Sequence, residues 1–131
     1  YDRASRQKGI TGENLLRILE MRLDNVVYRM GFAASRSQAR QLVLHEHIAV
    51  NGQKVDIPSY ELQVGDVVTV RDGSRNMQLL KDNTEAAEGR AVPEWLEVNL
   101  DQMEGKILAV PTREQMDISV QEHLIVEYYS R

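Results

Sequence analysis

Residues 22–54, RLDNVVYRMGFAASRSQARQLVLHEHIAVNGQK, leave this chain the fewest choices of fold. Leu23, Val26, Val27 and Met30 fall at i, i+3, i+4 and i+7, the spacing of one buried helix face. Arg22, Asn25 and Arg29 fall on the opposite side of the same helix. Gly31 follows, where a residue without Cβ most easily takes the left-handed conformation that ends a helix. Ser35 and Gln38 have the S-x-x-Q spacing of a capping box, so a second helix starts there. Ala39, Leu42 and Val43 form its inward face, with Arg36 and Arg40 one turn apart outside. Asn51-Gly52, between HIAV and QKVDI, predicts a two-residue hairpin, because both turn positions need positive φ.

The rest of the chain extends this α+β pattern. Tyr1 to Lys8 reads as the basic end of a helix, and Thr11 opens another whose stripe is Leu15, Leu16, Leu19 and Leu23, with a break near Met21. Ile48, Val50, Val55 and Ile57 alternate as a half-buried strand pair should. Val64-Gly65-Asp66 predicts a turn before the strand 67–70, giving a small curved sheet packed on the two helices. Residues 74–88 are expected to be helical, with Met77, Leu80 and Ala87 on one side and Gly89 as the stop. Trp95 to Val98 reads as a strand, Lys106 to Val110, bounded by Gly105 and Pro111, as its partner, and Gln121 to Tyr129 as a helix.

Composition narrows the function classes. Hydrophobic content of 42% and charged content of 27% are those of a globular chain, and no apolar run approaches the roughly 18 residues of a membrane span. The opening YDRASRQKG is polar, unlike a secretory leader, and begins on Tyr, as expected of a fragment or processed chain. Cysteine is absent, which excludes a disulfide framework or thiolate metal site. No glycine-rich phosphate loop or nucleophile elbow is present, so the chain is not expected to be an enzyme. His45-Glu46-His47 does not put both rings on one helical face and has no third ligand, so no metal or cofactor is expected.

The net charge of −4 is unevenly divided: residues 1–54 carry +4 and residues 55–131 carry −8. A basic first half is the footprint of a nucleic-acid surface, since phosphate contacts supply most non-specific affinity. Arg36 and Arg40 offer two guanidinium forks suited to bidentate phosphate contact. Ser35 adds a hydroxyl beside the free N–H groups of a helix start. Arg22, Asn25 and Arg29 widen the patch, and Gln38, Gln41, His45, Asn51 and Lys54 are candidate rim contacts. The same arginines also fit a solvated face paired with Glu20 or Asp24. Tyr28, Tyr60, Tyr128 and Tyr129 could stack on bases but fit packing roles better.

Several stretches carry a family resemblance: RLDNVVYRMGF at 22–32, SRSQARQLV at 35–43, HIAVNG at 47–52, IPSY at 57–60 and GDVV at 65–68. They resemble the S-four RNA-binding module. TGENLLRILEMRLDN, PEWLEV and QEHLIVEYYSR are similar to the flanking body of the bacterial-type S-four family of small-subunit ribosomal proteins. The resemblance implies a helix-pair-plus-curved-sheet module at 22–88, of the αL-motif type. That module would be inserted in a mainly helical body made from 1–21 and 89–131, which also carries a short hairpin. It implies a structural role: binding small-subunit ribosomal RNA through the 35–45 face and the hairpin turn, and supporting subunit assembly and decoding accuracy. The implied partners are that RNA and neighbouring small-subunit ribosomal proteins, with no membrane and no small-molecule substrate. The implied location is a cytoplasmic or organellar ribosome.

The family's basic N-terminal arm does not appear in this sequence. Glu46, Gln53, Glu61 and Gln63 stand where glycine or basic residues are common, and 82–104 has Arg90 as its only basic residue. These departures motivate an alternative: a scaffold or protein-interaction version of the fold, natural or engineered, that no longer binds RNA.

Overall fold

The structure is a computed structural model, and it describes residues 15–112. Within it, Met21–Val110 forms one compact unit. Residues 15–20, which are helical, and 111–112 belong to a separate unit. The helices expected at 1–8 and 121–129 lie outside the described residues.

Helix α1 spans Leu23–Met30 and α2 spans Arg36–Leu44. The first N–H groups of α1 have no intrahelical acceptor, and Arg22 supplies no side-chain cap. The IPSY connector meets that need: Leu23 N–H donates to the Tyr60 carbonyl at 2.8 Å and Asp24 N–H to the Pro58 carbonyl at 3.1 Å. Helix α1 ends at Gly31 with φ +94°, and the N–H groups of Gly31 and Phe32 return to Tyr28 and Val27. Ser35 caps α2 as its spacing predicts, accepting from Gln38 N–H at 3.1 Å. The Gln38 side chain reaches one residue further back than a standard capping box, to Ala34 N–H at 2.7 Å. Helix α2 ends in the same manner as α1, but with Glu46 at φ +68° where glycine is easiest.

The sheet has strands β1 Ile48–Val50, β2 Gln53–Lys54, β3 Val67–Val70, β4 Leu96–Asn99 and β5 Glu104–Ile107, all paired antiparallel in the order β2-β1-β3-β5-β4. Asn51 and Gly52 both have positive φ, as the hairpin requires. Strand β2 is shorter than the alternation predicts. Ile57 is exposed because the chain leaves the sheet to cap α1 with residues 58–60.

A 3-10 turn at Asp72–Ser74 precedes helix α3, Gln78–Ala87, so the helix starts later than the pattern suggests. Strand β5 lies earlier than expected and contains Gly105 rather than being bounded by it. A Cβ there would come within 2.5 Å of the Met30 sulfur, so the strand needs glycine where α1 presses on it.

One core joins Leu23, Val27, Phe32, Val43, Ile48 and Val68 with Leu80, Trp95 and Ile107. The hairpin β4–β5, expected in the helical body, thus pairs with β3 and shares the core of the α1–α2 unit. The boundary expected at residue 88 falls inside the unit Met21–Val110. No helix among the described residues is long and apolar enough to cross a membrane.

Candidate nucleic-acid interface

Helix α2 presents Ser37, Arg40, Gln41 and Leu44 to solvent, and His45 follows exposed at its C-terminal cap. Arg40 makes no ion pair among the described residues, so its fork is available. Arg36 is held differently. Its Nε donates to Asn25 Oδ1 at 2.8 Å, and its guanidinium carbon lies 5.0 Å over the Tyr28 ring. Its Nη2 is buried with no acceptor among the described residues. The carboxylate partner that the solvated-face reading expected for Arg36 is therefore an amide and a ring. Asp24 pairs instead with Arg22, at 3.0 Å.

Other sequence candidates are engaged within the protein, some buried and some, such as Ser35 and Asn51, exposed. Asn25 is 3% exposed, not on a polar helix side, because α2 covers it through Arg36. Gln38 Oε1 receives both Ala34 N–H and Asn83 Nδ2. Asn51 ties the hairpin turn to β3, donating to Asp66 Oδ1 at 3.0 Å and accepting from Val67 N–H at 2.9 Å. Arg22 is held by Asp24, Arg29 is half-buried, and the Ser35 Oγ accepts the capping bond. The N–H groups of Arg36 and Ser37, first in the helix, have no carbonyl within it to bond.

A second basic locus lies at the corner where α2 turns into β1. Glu46 Oε1 receives Lys54 Nζ at 2.9 Å, and the Glu46 carbonyl receives Arg71 Nη1 at 3.0 Å. Sequence reasoning missed Arg71, because only the β1–β3 register brings it beside His47, whose carbonyl accepts its N–H. His47 Nδ1 lies 2.7 Å from Ser74 Oγ, and the His45 and His47 rings meet edge-on at 6.4 Å. No three His, Asp or Glu residues among those described are placed to hold a metal.

The Lys54 hydrogen bond and then its charge, with a smaller effect of Arg71, lower the Glu46 pKa below the ordinary glutamate value. The pair is therefore intact at neutral pH, and its contribution is lost as pH falls through that lowered value. Replacing Glu46 by glutamine releases Lys54. Binding to a structured RNA is expected to tighten, and the salt slope to steepen by about one phosphate contact. An unchanged slope in a filter-binding titration would show that Lys54 never reaches the ligand.

A family described as S4 domain matches residues 21–68. The small ribosomal subunit protein uS4 of Thermoanaerobacter sp. (strain X514) is 61% identical over 131 residues, covering 100% of this chain and 63% of the relative. The proteins of the same name from Halothermothrix orenii and Thermodesulfovibrio yellowstonii are 57% and 52% identical over the same span. The chain belongs to the uS4 family. It spans 63% of the length of these relatives.

In this uS4-family chain the matched S4 domain stops inside β3, at Val68. Arg71, α3 and the β4–β5 hairpin all lie beyond it. The acidic second half is also placed by the sheet order. Glu97, Asp101 and Glu104, with Glu88 after α3 and the single cation Lys106, line a depression along β4 and β5, with β4 the edge opposite β2. Acidic residues thus gather at the β4 end of the sheet, whereas α2 carries Arg36 and Arg40 and no acidic residue, so the net charge of −4 does not describe that helix.

Proposed function

We propose that this chain is the RNA-binding portion of a structural protein of the small ribosomal subunit. The α2 face, with Arg40 exposed, Arg36 held beside it and Lys54 and Arg71 at the corner, binds the backbone of structured small-subunit ribosomal RNA. RNA of this kind is read by shape, phosphate and 2′-OH more than by base edges. The role is positional, not enzymatic: the protein fixes an RNA junction during assembly and supports decoding accuracy on the ribosome. The acidic β4 edge, turned away from the RNA, faces neighbouring small-subunit proteins.

The observation that carries this reading is the fixing of Arg36 by Asn25 and Tyr28. A guanidinium already ordered loses less rotamer freedom when it meets a phosphate. The test is retention of small-subunit ribosomal RNA by the whole chain, against an unrelated double-stranded RNA of equal mass. Preferential retention supports the reading, and equal or absent retention contradicts it. The Glu46–Lys54 pair favours the alternative, a protein-binding version of the fold, because it neutralises a cation that RNA would use. That reading predicts a chain that elutes free of nucleic acid and ignores added ribosomal RNA.

A further inference from the structure

Helix α3 lies outside the matched S4 domain, yet one face of it meets the α1–α2 unit at three places. Leu80, Asn83, Thr84 and Ala87 are buried at i, i+3, i+4 and i+7. Leu80 is fully buried in the core. Ala87 touches the end of α1 so closely that a Cβ on Gly31 would sit 2.6 Å from the Ala87 Cβ. Between them, Asn83 Nδ2 donates to the Phe32 carbonyl at 3.0 Å and to Gln38 Oε1 at 2.8 Å. Gln38 Oε1 also accepts Ala34 N–H, and Gln38 N–H donates to the Ser35 cap. One buried amide thus ties α3 to the turn and first residues of α2, the segment that carries Arg36 and Arg40.

We infer that Asn83 is a positioning residue for RNA binding: it fixes the direction of α2, and with it the arginine face, without touching RNA. This rests on the RNA-binding reading above. The two donated bonds are the whole of its polar role, since Phe32 O and Gln38 Oε1 are backbone and side-chain acceptors with no charge to offer a phosphate. A loosened α2 keeps the same charges but presents them less often in register, so affinity falls together with the number of phosphates engaged.

The test compares the whole chain with Asn83→Asp, which keeps the shape but turns both donors into an acceptor-only carboxylate. RNA binding is measured across salt, at temperatures where circular dichroism shows both proteins folded. The expected result is a weakening of about 2- to 30-fold, the range for residues that act through others. The salt slope flattens, and Arg40→Ala costs less in the Asn83→Asp background than in the parent chain. Parent-like affinity in folded Asn83→Asp overturns the proposal, as does a loss with unchanged slope that adds fully to Arg40→Ala. Asn83→Ala, which removes both donors and adds no charge, is taken through the same comparison and is expected to give the same losses, so that repulsion by the new carboxylate is told apart from a loosened α2. If the parent chain itself fails to bind, the RNA reading falls. Hydrogen exchange at the Ala34 and Gln38 amides then still decides the brace: faster exchange in the variant supports it, and unchanged exchange overturns it.

Discussion

Gly31→Ala is expected to destabilise the Met21–Val110 unit by about 3 kcal/mol, combining left-handed strain of roughly 1–2 kcal/mol with an overpacking cost of roughly 1–3 kcal/mol. The backbone there has φ +94°, and the added methyl would lie 2.6 Å from the Ala87 Cβ. Neither α1 nor α3 can yield cheaply, since Met30 is buried beside the turn and Leu80 anchors the other helix in the core. A loss of that size lowers the melting temperature of a unit this long by roughly 12–24 °C, read by circular dichroism. Gly52→Ala is the control: its φ is +83° but nothing lies within 4 Å of the added carbon, so only the strain is incurred. Equal melting temperatures for the two variants would show that α3 does not press on the turn.

Trp95→Ala is expected to cost about 3–5 kcal/mol, the range for deleting a large core aromatic. Trp95 is 1% exposed, and its carbonyl accepts Leu108 N–H at 2.9 Å, closing the β4–β5 hairpin. Because this hairpin hydrogen-bonds to β3, the damage should not stay local. Urea unfolding of the variant should remain one cooperative transition at a lower midpoint. Amides of Val27 in α1 and Val43 in α2 should exchange faster as well. Protection that survives at Val27 and Val43 while the hairpin opens would mean that β4–β5 is a separate folding unit.

Much of the first half was legible because its signals are local. The apolar spacing of α1, the Gly31 stop, the Ser35 cap and the Asn51-Gly52 turn each specify a conformation within a few residues, and each is present. What was not legible depends on register and packing. Asn25 reads as polar and therefore exposed, but a buried amide is tolerated once Arg36 bonds it. Gly105 reads as a strand boundary, although it lies within β5 because Met30 needs the space. Ile57 reads as the next buried strand position, but the demand of α1 for capping acceptors draws the connector off the sheet.

The candidate site divides in the same way. Arg36, Arg40 and Gln41 followed from helical spacing, and Lys54 from the hairpin. Arg71 could not be found, since its place beside Glu46 comes from a strand pairing between residues far apart in sequence. Gln38 and Asn51 have the residue types of ligand contacts. Both are also hydrogen-bonded within the protein, which only the partners around them reveal. Glu46 was read as a weakening charge, and the structure adds that it gathers Lys54 and Arg71 into one corner.

The central claim is that the α2 face meets RNA phosphates, and the most direct measurement is affinity for small-subunit ribosomal RNA as a function of salt, for the parent chain and for the Arg36→Ala, Arg40→Ala double variant. At a slope of about −0.9 per phosphate, each lost contact weakens binding roughly fivefold near 0.15 M salt, so the double variant should bind about 30-fold more weakly, with a slope lower by about two. Identical slopes for the two proteins, with the double variant shown to be folded, would contradict the claim and move the RNA surface away from α2.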